Sequence, residues 1–229
     1  MISRAQRGGN NICRRVFHII ALSVLILSLA GSPPPAHAQT EVPPQQVRQL
    51  FQKMTPEERV GQLFLVTFNG TDTSAQSQIY DLITNHHIGG VILLGSNNNF
   101  LAAPSTVSGV YQLTQSLQEI EWSNTANPPS GNQPAYIPLF IGISQDGDGS
   151  PGDQILSGLT PLPSEMAIGA SWSPDLANKV GAAMGRELSA LGINMYFGPS
   201  LDVVESPIPS AGSDLGSSVF GGDPYWVSV

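Results

Sequence analysis

Four short apolar runs punctuate the chain, at residues 63–68, 91–94, 138–143 and 193–197, and none of them alternates with polar residues. Strands that read as continuous hydrophobic stretches are those buried on both faces of a parallel sheet. Between the runs the period changes. Ile79, Leu82, Ile83 and the stem of His86 recur three or four apart, as do Val110, Leu113, Leu117 and Ile120 within residues 105–122. That spacing places each set on one face of a helix. A third helix is predicted over about 174–191, with Ser173 as its cap and Gly192 as its stop. Upstream of the first run, Thr55-Pro56-Glu57-Glu58 has the form of a helix start, with a capping hydroxyl, a proline in the first turn and a glutamate three residues on. Residues 144–173 are read as one long loop rich in Gly, Asp and Pro.

The resulting order, strand and helix in alternation from first run to fourth, predicts an α/β fold with a parallel sheet covered by helices. An open doubly wound sheet and a (β/α)8 barrel both fit. Four strands close no barrel, and a complete one takes about 250 residues, so on the barrel reading only about the first four β/α units are present.

The first 38 residues follow a different logic. Arg4, Arg7, Arg14 and Arg15 precede an apolar stretch at 16–30, and Ala36-His37-Ala38 supplies a small-x-small cleavage pattern. This is the form of a secretory signal. Fifteen residues reach only about 22 Å as a helix, short of the roughly 30 Å hydrocarbon core, and Pro33, Pro34 and Pro35 follow. Cleavage after Ala38 and release to the periplasm or exterior are expected, with no membrane attachment afterwards. Residues 39–49 are read as an extended leader, and 50–229 as the folded domain. Cleavage also removes Cys13, the single cysteine, and takes the formal charge of −8 to −12. The product can then hold no disulfide and no thiolate metal site.

Only 11 % of the 229 residues are charged, yet 41 % are hydrophobic, enough to build a core and to exclude disorder by charge excess. The acidic balance speaks against a nucleic-acid partner, which requires a basic face. Candidate chemistry gathers where the strands end, the functional face of either architecture. The densest loop reads Ser144-Gln145-Asp146-Gly147-Asp148-Gly149-Ser150-Pro151-Gly152-Asp153. Gly147, Gly149 and Gly152 match a dinucleotide fingerprint, but that motif needs a helix opening at once, and Pro151, Pro161 and Pro163 keep this chain extended. Asp146, Asp148 and Asp153 offer oxygen ligands for calcium, although the EF-hand register fails at Pro151 and Ser157. A sugar, whose hydroxyls suit short carboxylates, is the third reading, and a solvated acidic loop the fourth. Asp202 lies just past the fourth strand, either as a functional side chain or as a turn cap. His86 and His87 sit together at a helix end, where a structural role is favoured by the helix dipole.

Several segments taken together resemble the N-terminal domain of glycoside hydrolase family 3, in particular its β-N-acetylhexosaminidase branch. They are Met54 to Leu63, Ile88-Gly89-Gly90-Val91-Ile92-Leu93, Thr160-Pro161-Leu162-Pro163-Ser164, Gly185-Arg186-Glu187-Leu188, Leu191-Gly192-Ile193-Asn194, Leu201-Asp202-Val203 and Phe220-Gly221-Gly222-Asp223-Pro224. The resemblance implies a TIM-like barrel, a carbohydrate substrate, no cofactor, no metal and retaining hydrolysis, in which one carboxylate attacks the anomeric carbon and an acid protonates the leaving oxygen. It also implies that the nucleophilic Asp and a substrate-gripping Lys-His pair belong to the second half of the barrel, beyond Val229. Two departures stand out. Ser144 occupies the place of the family's sugar-binding Asp after strand three, with Asp146 as a substitute two residues on. Ser218 replaces an Arg that contacts substrate. Ser144, Asp146, Asp202 and Ser218 are therefore the candidate substrate-binding positions, and a carbohydrate-binding relative without catalysis is the competing reading.

Overall fold

In the computed structural model the described residues are 44–126, 134–149, 152–204 and 218–228. The signal-like segment and residues 39–43 of the leader lie outside them. The last part of that leader is not extended: helix α1 (Gln45–Lys53) begins already at Gln45. Its Gln, Arg, Leu and Lys content favours helix, and Arg59 of the next helix holds its end. That guanidinium donates to the Phe51 carbonyl at 2.9 and 3.2 Å and lies 4.3 Å above the Phe51 ring.

Helix α2 (Pro56–Gly61) carries the reciprocal cap that the sequence foretold. Thr55 N donates to Glu58 Oε2 at 2.6 Å while Glu58 N donates to Thr55 Oγ1 at 3.2 Å. Then come β1 (Leu65–Val66), α3 (Gln78–Thr84), β2 (Gly90–Ile92), α4 (Thr106–Ala126) and β3 (Phe140–Ile143). Helix α5 (Glu165–Ala170), α6 (Pro174–Ala190), β4 (Met195–Tyr196) and α7 (Pro224–Val227) complete the described elements. Ser77, Ser164, Ser173 and Asp223 each accept a backbone N–H at the start of α3, α5, α6 and α7. Helix α5 lies inside the stretch read from the sequence as loop. Six residues are too few to show a helical period, and the prolines at 161 and 163 mask its cap.

All four strands are parallel and add in chain order, β1-β2-β3-β4. A doubly wound sheet reverses direction about its first strand, whereas a barrel adds each strand beside the last. The register sorts the side chains onto two faces, because alternate residues of a strand point opposite ways. Val66, Val91 and Ile141 share one row. On that face Val91, Ile141 and Ile143 are buried against Ile79 and Ile83 of α3, Val110, Leu113 and Leu117 of α4, and Met184 and Leu188 of α6. The opposite face carries Leu65, Gly90 and Phe140 in one row, and no helix of the described residues contributes to the core on that side. Leu65, Phe140 and Phe197 there are 37, 48 and 41 % exposed. Gly90 is required on this face: a methyl group in its place would strike the Phe140 carbonyl.

The hydrogen-bonded ladders are shorter than the apolar runs. Leu63 and Phe64 donate back to Val60 and Gly61, finishing the turn after α2 instead of pairing. Two side-chain amides fasten the strand starts. Asn194 accepts from Ile141 N at 2.7 Å and donates to the Leu139 carbonyl at 2.9 Å. Gln118 of α4 holds Leu139 through both its N–H (3.1 Å) and its carbonyl (2.9 Å). At the other end of the sheet, Asn99 donates to the Phe68 and Gly70 carbonyls and accepts from Leu94 N, so the exits of β1 and β2 share one amide.

Candidate functional site

The loop leaving β3 is organised by two side chains of its own. Gln145, 1 % exposed, accepts from Gln154 N and Ile155 N and donates to the Ile155 carbonyl, all within 3.1 Å. Asp153 gathers three backbone amides, with Oδ1 accepting from Asp146 N (2.7 Å) and Gly147 N (2.6 Å) and Oδ2 from Gly149 N (2.8 Å). Gly147 adopts a φ of 93° to make this possible, a conformation that glycine reaches without strain.

Such a concave set of amides is the device that binds phosphate elsewhere. Here the chain's own carboxylate fills it, which removes the dinucleotide reading of the three glycines. It also commits Asp153 to N–H donors instead of a cation. Among the described residues no group of three or more His, Cys, Asp or Glu side chains is placed to hold a metal ion.

Asp146 is held by this loop, and the backbone passes close beside it. A methyl group at Gly152 would collide with the Asp146 carboxylate. The partner of Asp146 is Glu165, from the first turn of α5, with which it shares a hydrogen bond. Glu165 is 3 % exposed, and its Oε2 has no hydrogen-bond partner among the described residues. Burial, together with the charges of Asp146 and Asp148, pushes Glu165 up to about 7. Burial and the neighbouring Asp153 and Asp148 raise Asp146 as well. Two carboxyls this close cannot both ionise readily, so they hold a proton between them. Tyr196 of β4 completes the group. Its hydroxyl donates to the Gln145 carbonyl at 2.8 Å, and burial followed by the charges of Asp146 and Glu165 pushes it up to about 12.

Asp146, Glu165 and Tyr196 line one end of a cavity of about 590 Å³ between α6 and β4, whose other walls include Ile168, Val180, Met184 and Leu188. Of the four positions singled out from the sequence, only Asp146 reaches it. Ser144 is half-buried, and alternation along β3 puts it in register with Phe140 and Gly142, on the face away from the core helices. Asp202 is exposed; its carboxylate accepts from Ser200 Oγ at 2.9 Å and its backbone N–H donates to the same hydroxyl at 3.3 Å. Ser218 is half-buried, next to the buried Val219. His86 lies 3.6 Å from Asp81, both more than half exposed, consistent with a surface role at the end of α3. Glu165 and Tyr196 were not singled out. The signal for Glu165 was Ser164-Glu165, a cap followed by a first-turn acid, but no feature of the sequence tied it to Asp146 19 residues earlier.

A parallel α/β sheet built strand beside strand, with its loops gathered at one end, is the framework of a barrel protein. The family described as "Glycosyl hydrolase family 3 N terminal domain" matches residues 55–229. "Beta-hexosaminidase A" of Pseudoalteromonas piscicida is 30 % identical over 138 residues, covering 59 % of this chain and 20 % of that protein. A "Beta-N-acetylglucosaminidase/beta-glucosidase" of Cellulomonas fimi is 30 % identical over 158 residues, 69 % of this chain and 23 % of that protein. The structure of a glycoside hydrolase family 3 β-N-acetylglucosaminidase from Paenibacillus sp. str. FPU-7 matches with a TM-score of 0.62 and 32 % identity, over 76 % of this chain and 29 % of that one. The chain belongs to glycosyl hydrolase family 3, and its four β/α units are those of a TIM-like barrel. It spans less than a quarter of the length of the two curated relatives named here.

Proposed function

We propose that the chain is the opening part of an exported β-N-acetylhexosaminidase that cleaves its glycoside with retention of configuration. The support is the 32 % identity to the Paenibacillus β-N-acetylglucosaminidase over three quarters of the chain. Export rests on the arginine-led apolar segment and the Ala36-His37-Ala38 pattern. N-terminal sequencing of the protein released by an expressing cell tests it, with Gln39 as the expected first residue and Met1 as the contrary result.

Asp146 and Glu165, the two acids that meet among the described residues, are not a retaining pair. Retaining enzymes set their two carboxyls about 5–5.5 Å apart across the glycosidic bond. Asp146 and Glu165 instead hydrogen-bond to one another, on the helix-covered side of the sheet. On this reading the nucleophile is supplied by barrel sequence beyond these four units, as the family resemblance implies. Hydrolysis of a chromogenic N-acetyl-β-D-glucosaminide is the assay, and this chain alone is expected to give no turnover. Turnover by purified chain, abolished by Asp146→Asn, would show that the reacting acids have been misplaced.

A second reading, a sugar-binding relative without catalysis, is favoured by Ser144 and Ser218. Losing a charge-assisted hydrogen bond at each position forfeits about 1.5–3 kcal/mol of substrate binding. The coding sequence past Val229 separates the two readings. A continuation carrying Lys-His and a later strand-end Asp supports the hydrolase, and their absence supports the binder.

A further inference from the structure

Where the chain leaves β4, a cleft of about 220 Å³ is lined by Trp172, Pro174, Leu201, Phe220, Asp223 and Trp226, among others. Trp172 stands between α5 and α6, Leu201 follows β4, and Trp226 belongs to α7. Trp172 and Trp226 meet edge to face, with centroids 5.6 Å apart and planes at 80°. Tyr225 meets Trp226 in the same manner at 5.3 Å. Trp172, Trp226 and Tyr225 are 70, 53 and 67 % exposed. A single exposed aromatic needs no explanation, but a contiguous apolar patch marks a binding surface.

The backbone supplies an independent sign. Trp172 has a φ of 50°, in the left-handed region that disfavours a bulky side chain. It comes directly after Ser171, the C-terminal cap of α5, where a left-handed residue commonly ends a helix and glycine is the usual choice. Glycine would make this turn without strain. The indole is kept there instead, with most of the residue in water, so burial does not compensate for the conformation. Outliers of this kind gather where a side chain has a ligand to meet.

The rings and the acid beside them select the ligand. In an edge-to-face pair the ring that offers its edge keeps both faces free of its partner, and an aromatic face is negative. A β-linked glucopyranose unit has every ring substituent equatorial, so C–H hydrogens of partial positive charge line both of its faces. Asp223 is exposed, accepts from Tyr225 N with Oδ1 at 2.9 Å, and keeps Oδ2 for a hydroxyl. We propose that this cleft is a carbohydrate subsite, stacking a β-linked, all-equatorial pyranose unit on Trp172 with Trp226 as its side wall and Asp223 on a hydroxyl. The proposal rests on the reading of the chain as part of a glycosidase. Asp223 is the single acid lining the cleft, so the unit held here is not the one cleaved, and the ligand is narrowed to an oligosaccharide.

Triacetylchitotriose, cellotriose and the acyclic polyol sorbitol are the probes, titrated into the full chain and followed by tryptophan emission. Trp122, the third tryptophan, packs on Tyr136 instead, so Trp122→Phe removes its background and is expected to leave affinity within about twofold. A saturable emission change is expected with triacetylchitotriose, and binding of sorbitol, which has hydroxyls but no ring face, at least about tenfold weaker. Trp172→Gly removes the ring where glycine suits the backbone. It is expected to weaken the trisaccharide at least about tenfold while leaving the melting temperature near the parent's. Trp226→Leu, which removes the side wall, is the second variant and is expected to weaken binding in the same direction. Absence of a saturable change with both trisaccharides, sorbitol binding equal to theirs, or undiminished affinity in both variants would overturn the subsite. Tighter binding of triacetylchitotriose than of cellotriose supports the subsite and the N-acetylhexosaminide reading together. Equal binding of the two, lost in Trp172→Gly, supports the subsite and counts against that reading.

Discussion

Replacing Asp153 by Ala removes the one carboxylate on which three amides of the β3 loop converge. Hydrogen bonds to a charged acceptor contribute about 1.5–3 kcal/mol each, and an amide left without a partner in a partly buried loop loses more than it would in water. The three are coupled through one side chain, so their contributions do not add in full. Asp146 N, Gly147 N and Gly149 N all lie in half-buried residues, where water recovers part of the loss. The expected destabilisation is therefore roughly 3–5 kcal/mol, which for a domain of this size lowers the melting temperature by about 10 °C. Asp153→Asn keeps one acceptor oxygen for Asp146 and Gly147 but turns an amide toward Gly149, so it should fall between parent and Ala. Differential scanning calorimetry of the three proteins is the measurement. A melting temperature for Asp153→Ala within about 2 °C of the parent would refute the view that this carboxylate organises the loop.

Two other substitutions test the frame. Glu121 of α4 is 5 % exposed, and burial, with a further contribution from the Glu58 charge, pushes it up to about 7. Its pKa is raised in the folded state, so its contribution is fully present below the ordinary value near 4.5 and is lost as pH rises through about 7. Thermal stability should thus fall between about pH 5 and 8, Glu165 acting in the same direction. Glu121→Gln should flatten that slope by up to about 3 kcal/mol, and an unchanged pH profile would count against it. Gly90→Ala places a methyl group against the Phe140 carbonyl and should destabilise by at least about 2 kcal/mol. Urea unfolding measures this, and a midpoint equal to the parent's would show that the strands can part to admit it.

Much of the frame was legible because its signals are local. Non-alternating runs such as 138–143 marked buried strands, the spacing of Ile79, Leu82 and Ile83 marked α3, and Thr55 with Glu58 marked the start of α2. Helix α5 escaped because one and a half turns carry no period. The start of helix α1 is hidden because Pro43 and Pro44, which suit an extended segment, stand directly before its helix-forming residues. The Asp146–Glu165 pair was illegible for another reason. It depends on how the β3 loop folds over α5, which is set by Gln145 and Asp153 binding backbone amides of their own loop, and no residue pattern announces such contacts. Charge alone made Asp146, Asp148 and Asp153 look alike, whereas the fold gives them different work. Asp153 serves the backbone and Asp146 faces the cavity.

On the other side of the sheet Leu65 lies against Gly90 and the Phe197 ring against Gly142, so Leu65, Phe140 and Phe197 form a raised apolar ridge that stays partly open to water. In isolation this surface would make protein concentration, more than temperature or salt, the variable that governs handling of the chain. Dilute samples and mild detergent are the natural conditions in which to keep it as a single species.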